Sequence, residues 1–156
     1  MTILNWIGNG SLGMGNSENI ALIGISTGGA AVLTHSYTEY DVSARVGLYP
    51  AFNFSSAISD NASTLILTGT GDTGFVPHAK QYYDQLSAPK AFINIEGAMH
   101  LDGYQQGQGS TYQPIISKYI LAFLDLATLQ SQEALNTFNL GATDVGLASF
   151  ESENLQ

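Results

Sequence analysis

Ile20-Ala21-Leu22-Ile23-Gly24-Ile25-Ser26-Thr27-Gly28-Gly29-Ala30-Ala31-Val32-Leu33 is the stretch whose reading decides the fold. Its first six residues are aliphatic or small and carry no charge. A continuous apolar run of that length is the mark of a strand covered on both faces. The residues after it, Gly28 to Tyr40, read as a helix. Between the two, Gly24-Ile25-Ser26-Thr27-Gly28 fits G-x-S-x-G, a tight strand-to-helix turn that lifts a serine hydroxyl above the sheet edge. The pattern alone is weak, because Gly and Ser are common in this chain. The strand before it and the helix after it give it weight. Gly29, Ala30 and Ala31 are small enough to bring that helix close to the sheet.

Three more apolar runs follow: Ala44 to Pro50 (ARVGLYP), Ser63 to Thr70 (STLILTGT) and Ala91 to Gly97 (AFINIEG). Each has strand length and is bounded by Gly, Asn, Asp or Pro. His78 to Leu86 reads as a helix. So does Gln113 to Gln130, where Ile115, Ile116, Tyr119, Ile120, Phe123, Leu124 and Ala127 recur at helical spacing and Pro114 suits the first turn. Strands alternating with helices predict an α/β fold: about four parallel strands, joined by right-handed crossovers and flanked by helices. Ala51 to Ala62 reads as a loop, Thr2 to Ile7 as the end of a helix, Gly8 to Asn19 as a Gly-rich loop and Glu133 to Leu140 as a short helix. The expected organisation is one domain over 1–140, followed by a polar, acidic tail over 141–156 with Phe150 as its only aromatic residue.

The whole chain of 156 residues allows one domain with a single core. Charged residues are only 11%, and 4 Lys+Arg stand against 13 Asp+Glu, a formal net charge of −9. Such a surface repels a phosphate backbone, which argues against nucleic acid as a partner. No apolar run reaches the roughly 18 residues of a membrane span. The first ten residues have no basic segment and too short an apolar core for a signal peptide. There is no Cys, which excludes disulfides, thiolate metal sites and a cysteine nucleophile. A surface rich in Gly, Ser, Thr and Asn fits a secreted or salt-adapted protein.

Two further residues complete a chemical pattern. Asp72, in Leu65-Ile66-Leu67-Thr68-Gly69-Thr70-Gly71-Asp72, falls just past the third strand. A carboxylate there can hold a histidine in the tautomer that makes its far nitrogen a base. His100, in Ile95-Glu96-Gly97-Ala98-Met99-His100, falls just past the fourth strand. At a parallel sheet, Ser26, Asp72 and His100 all emerge at the same edge, in the order nucleophile, acid, base. Read singly, Asp72 is equally an ordinary turn residue and His100 a surface loop histidine. Asp102 is a second acid near His100, close in sequence for reaching Nδ1. His35 reads as a mid-helix residue that packs or caps, His78 as an exposed helix start, and Tyr82-Tyr83 as helix packing. Gly8-Asn9-Gly10-Ser11-Leu12-Gly13 matches G-x-G-x-x-G but precedes a strand instead of following one, so a flexible loop is the better reading than a nucleotide site. No spacing of His or carboxylates suggests a metal.

The three segments IALIGISTGGAAVL, LILTGTGDTGFVP and INIEGAMH resemble the serine, aspartate and histidine segments of the α/β-hydrolase superfamily. They are most similar to those of dienelactone-hydrolase-related esterases and bacterial cutinase-like polyester hydrolases. The resemblance runs from about Asn19 to Leu126. It implies that Ser26 is the nucleophile, Asp72 the acid and His100 the base, and that the Thr27 backbone N–H is an oxyanion donor. It also implies that the loop Tyr49-Pro50-Ala51-Phe52 lines the acyl pocket, with Ala51 and Phe52 standing where polyester hydrolases often carry Trp. Members of that family have further strands ahead of the serine turn, including the loop with the other oxyanion donor. The resemblance therefore implies an N-terminally truncated domain.

The expectation is a serine hydrolase that cleaves small-molecule or polymeric esters without a cofactor. The alternative is an impaired hydrolase fragment that serves as an interaction or assembly module, self-associating through the strand edge at Ile20 to Ile25. A nucleotide-binding module is a third reading, resting on the glycine match alone.

Overall fold

A computed structural model describes residues 19–36, 40–51, 56–57, 60–87, 89–102 and 111–155. The run Ile20–Ile25 is strand β1, and Thr27–Thr34 is helix α1, with Ser26 as the single residue between them. Strands β2 (Val42–Leu48) and β3 (Ser63–Gly69) follow, then helix α2 (Val76–Gln85), strand β4 (Lys90–Ile95) and helices α3 (Gln113–Leu129) and α4 (Gln132–Leu140). A 3-10 turn (Gly141–Thr143) leads to strand β5 (Leu147–Glu153). The strands lie in sequence order in one sheet. β1 to β4 are parallel, and β5 runs antiparallel to β4. The expected parallel α/β sheet is present, and among the described residues an antiparallel fifth strand is added to its four parallel ones.

The sheet is covered on both faces. On one, Ala44, Val46, Leu48, Leu65, Leu67, Ala91, Ile93 and Ile95 pack against Ile116, Tyr119 and Phe123 of α3 and Phe138 of α4. On the other, Ile66 and Phe92 pack against Leu33 of α1 and Tyr82 and Tyr83 of α2. Each fully buried large apolar side chain is worth about 1.5–3 kcal/mol. This two-sided cover is why β2, β3 and β4 read as continuous apolar runs.

Several expected boundaries shift for local reasons. Helix α1 ends at Thr34 instead of Tyr40: the Thr34 hydroxyl donates to the Ala30 carbonyl at 2.9 Å, and His35 turns to extended backbone. Of its two expected roles His35 takes the cap: it is the exposed C-cap of α1 and not a mid-helix residue. Ala31, expected to face the sheet, is exposed. Helix α2 starts at Val76 because Pro77 suits its first turn. His78, expected as an exposed helix start, is the third residue of α2 and half-buried. Helix α4 starts at Gln132, capped by Ser131 Oγ, which accepts from the Ala134 N–H at 3.2 Å. Thr2 to Ile7, the glycine match at Gly8 to Gly13 and most of the loop over 51–62 lie outside the described residues.

The larger correction concerns 141–156, expected as a tail. Over its described residues it folds onto the domain as the 3-10 turn and β5. Phe150 sits beside Tyr119 and Phe138, with ring centroids 6.1 and 6.0 Å apart. At Gly141 any β-carbon would collide with the Phe150 ring. Three of the chain's four cations hold this segment: Lys80 pairs with Glu151 (3.1 Å), Lys90 with Glu153 (3.4 Å) and Lys118 with Asp144 (2.5 Å). Lys90 also donates to the Tyr83 and Leu86 carbonyls, where it caps the C-terminus of α2.

The fourth cation, Arg45 on β2, is 2% exposed and makes a two-pronged pair with Asp60 at 2.5 and 2.6 Å. Partial burial alone would raise the Asp60 pKa, but the Arg45 hydrogen bonds and the Ala62 N–H bring it below the usual carboxylate value. Asp60→Ala leaves a buried guanidinium without its partner and is expected to cost about 3 kcal/mol in urea unfolding. The sign with pH follows from the lowered folded pKa. The pair's contribution is complete above the unfolded value of about 3.9 and is lost as pH falls through the lower folded value. Acid unfolding of the wild type should show this loss, and the Asp60→Ala protein should not.

β1 differs from its neighbours. It lies at the sheet edge, most of its residues are only half-buried, and Ile23 is 51% exposed. Among the described residues no helix is long and apolar enough to cross a membrane.

Candidate active site

The turn after β1 is built around Ser26, whose backbone has φ 53° and ψ −119°. A non-glycine residue in that region costs about 1–3 kcal/mol, so its surroundings must over-determine it. They do. The Ser26 N–H donates to the Leu48 carbonyl at 2.9 Å, and the Ser26 carbonyl accepts from the Ala51 and Ala30 N–H groups, each at 3.0 Å. The chain can close this tightly only because residue 24 has no side chain: a β-carbon there would fall on the backbone carbonyl of Gly28. Ser26 is half-buried, and Thr27, the first residue of α1, is exposed. The first N–H groups of a helix have no intrahelical acceptor, and the Thr27 amide is one of them.

The loop that carries Asp72 (the acid loop of the expected triad) and the loop that carries His100 (its base loop) are laced to each other. The Thr70 N–H donates to the Ile95 carbonyl and the Gly71 N–H to the Ala98 carbonyl, both at 2.9 Å. The Gly97 N–H donates to Thr70 Oγ1 at 2.7 Å. A β-carbon on Gly69 or Gly71 would collide with the base loop, so both glycines serve close approach. The base loop is also tied to β5, through the Glu96 N–H and the Gly146 carbonyl at 2.9 Å.

This lacing sets the geometry of three side chains. His100 Nδ1 lies 2.7 Å from Asp72 Oδ2, and His100 Nε2 lies 2.8 Å from Ser26 Oγ. The Asp72 side chain is 8% exposed and that of His100 22%, so the carboxylate is sheltered while the ring reaches the surface. In the arrangement where Asp72 accepts from Nδ1–H, Nε2 is the acceptor for the serine hydroxyl. The structure thus brings Ser26, Asp72 and His100 into one hydrogen-bonded line. Asp102 has other work: its carboxylate accepts from the Met99 N–H at 2.7 Å and closes the turn that carries His100.

The pocket residues fare differently. Ala51 is half-buried and acts through its backbone, donating to Ser26 and accepting from the Tyr82 hydroxyl at 3.3 Å. Tyr82 and Tyr83 pack as expected, both buried in α2. Phe52 lies outside the described residues.

Two aromatic residues stand at the site: Phe75, which the sequence did not mark, and Tyr49, which the resemblance put in the loop lining the acyl pocket but not against His100. Phe75, just before α2, places its ring centroid 4.5 Å from that of His100. Tyr49, fully buried with φ 44°, meets His100 edge-on at 5.9 Å. Burial first, then Asp102 and Asp72, push the Tyr49 phenol far above its ordinary pKa, so it stays neutral. The available signal was position alone: Tyr49 ends a strand, and Phe75 follows an Asp-Thr-Gly turn. Among the described residues no cluster of His and carboxylates could hold a metal ion.

No protein-family model matches this chain, and no curated protein matches it significantly.

Proposed function

We propose that this chain is a serine hydrolase of carboxylic esters. The observation that carries the reading is the line of hydrogen bonds from Ser26 Oγ through His100 to Asp72, with the serine held at a strained backbone on a strand-to-helix turn. Ser26 Oγ attacks the ester carbonyl carbon while His100 Nε2 takes the hydroxyl proton. The Thr27 N–H donates to the oxygen that becomes negative. The tetrahedral adduct collapses, the C–O bond to the alcohol breaks, and His100 returns its proton to the leaving oxygen. Water then attacks the acyl-serine ester while His100 takes its proton, the bond from the acyl carbon to Oγ breaks, His100 returns the proton to Ser26 Oγ, and the carboxylic acid leaves. Asp72 holds the ring and stabilises its positive charge throughout. The residues need no cofactor for this sequence. The resemblance to the dienelactone-hydrolase-related and cutinase-like branch of the α/β-hydrolases supports the same roles. Turnover of p-nitrophenyl acetate by purified protein, above the rate of a Ser26→Ala control, tests it. Equal rates would end the proposal.

A second reading is favoured by the half-exposed β1. In it the chain self-associates through this edge, whose apolar residues carry no charge or proline to blunt it. Pairing of two β1 edges would cover Ile23. Light scattering at low micromolar concentration should then give a mass above the monomer, and Ile23→Lys should lower it. A wild-type monomer would exclude this reading.

A further inference from the structure

Phe75 is tied to the same residue that pairs with His100. Its N–H donates to the Asp72 carbonyl at 2.9 Å, so one short turn delivers a carboxylate to Nδ1 and an aromatic ring to the face of the same imidazole. The other end of the residue is also held, because the Phe75 carbonyl accepts from the Ala79 N–H at 2.9 Å in the first turn of α2. The two rings are tilted by 37°. Tyr49 meets the imidazole edge-on, at 65°. The imidazole therefore has an aromatic ring over it and another against it, beyond the two hydrogen bonds in its own plane. Yet Phe75 is only half-buried, so its ring is not there to fill the core. Among the described residues, the titratable groups that meet the imidazole are Asp72, at Nδ1, and Tyr49, at its edge, while Asp102 lies in the same loop with its carboxylate on the Met99 N–H.

We propose that Phe75 is a positioning residue for His100: it covers the imidazole, fixes its plane between Ser26 Oγ and Asp72 Oδ2, and shields the His100–Asp72 hydrogen bond from water. This rests on the hydrolase reading for its effect on rate, but not for its effect on the hydrogen bond. Two physical consequences follow. A ring free to rotate about its Cβ–Cγ bond loses both in-plane contacts together, and small misplacements of a base are costly. An aromatic face within about 6 Å also favours the positive charge that His100 carries in the transition state.

The test compares Phe75→Ala, Phe75→Leu and Phe75→Tyr in the full chain. Phe75→Ala is expected to lower kcat for p-nitrophenyl acetate about ten-fold with KM little changed. In proton NMR, the low-field resonance of the Nδ1–H should be visible in the wild type and broaden away in Phe75→Ala through exchange with water. Phe75→Tyr should restore both. Phe75→Leu, which keeps bulk but not the aromatic face, should keep the resonance and recover kcat only in part. It also serves if the alanine variant does not fold. A wild-type resonance and kcat in Phe75→Ala would overturn the proposal. So would a loss confined to KM, which would make Phe75 a substrate contact. If the wild type cleaves no ester but the resonance is still lost in Phe75→Ala, the hydrolase reading fails and this one stands.

Discussion

Ser26→Ala is expected to remove ester turnover, with a fall in kcat of about 10⁶ by analogy with other Ser–His–Asp enzymes. The size follows from the chemistry. Without Oγ there is no acyl-enzyme, and the one-step attack of water on the ester lacks the short, aligned approach that the turn gives the serine. His100 Nε2 sits 2.8 Å from Oγ and has no other nucleophile so placed among the described residues. The substitution should leave the fold intact. The turn is held through the Ser26 backbone, by bonds to Leu48, Ala51 and Ala30, and α1 receives no cap from the serine side chain. Alanine tolerates the positive φ no worse than serine by much, so thermal unfolding should move little. A fluorophosphonate probe gives an independent reading: it should label the wild type and not the variant. Labelling that persists in Ser26→Ala would place the nucleophile elsewhere.

The parts of this fold that were legible are those whose burial is two-sided. β2, β3 and β4 were read to within two residues because both faces of the sheet are covered there and the runs are mostly apolar; β1, half-buried at the edge, was read to its residue because its six residues are uncharged and aliphatic or small. Helix α3 was legible because one stripe, through Ile116, Tyr119 and Phe123, is buried along its length. β5 was not. It is an edge strand with Ser and Glu along its open side, which reads as a polar tail. Besides its ladder to β4, it is held by Phe150 and by Lys80 of α2 and Lys90 of β4, with Lys118 of α3 holding Asp144 just before it, and none of these lysines is near it in sequence. The same contrast runs through the site. Ser26, Asp72 and His100 each follow a strand, so a parallel sheet brings them to one edge. Phe75 carries no such mark, since an aromatic residue after a turn looks like any core residue until the loop that places it has folded.

Asp72→Asn should lower kcat by about 10⁴, with little change in KM or in stability to heat. The amide is nearly the same size as the carboxylate, so the turn that carries it survives: the Asp72 N–H bonds the Gly69 carbonyl and its carbonyl accepts from Phe75 and Val76, all through backbone. What changes is the partner offered to His100 Nδ1. A carboxylate can only accept, so Nδ1 must carry the proton and Nε2 faces Ser26 as a base. An asparagine can present its NH₂ instead. That stabilises the other tautomer, in which Nε2 bears the proton and cannot take one from the serine. The negative charge that steadies the imidazolium is lost as well. Asp102 is the internal control. It lies two residues from His100, but its carboxylate accepts from the Met99 N–H, and Asp102→Asn keeps an oxygen for that bond. Its effect on kcat should stay within about ten-fold, the size expected of a small displacement of the base loop. The comparison is decisive because both changes remove one negative charge close to the same histidine. If charge near the ring were all that mattered, the two variants would fall together. A larger loss in Asp102→Asn than in Asp72→Asn would move the acid's role to Asp102 and break the line from Asp72 to Ser26 on which the hydrolase reading depends.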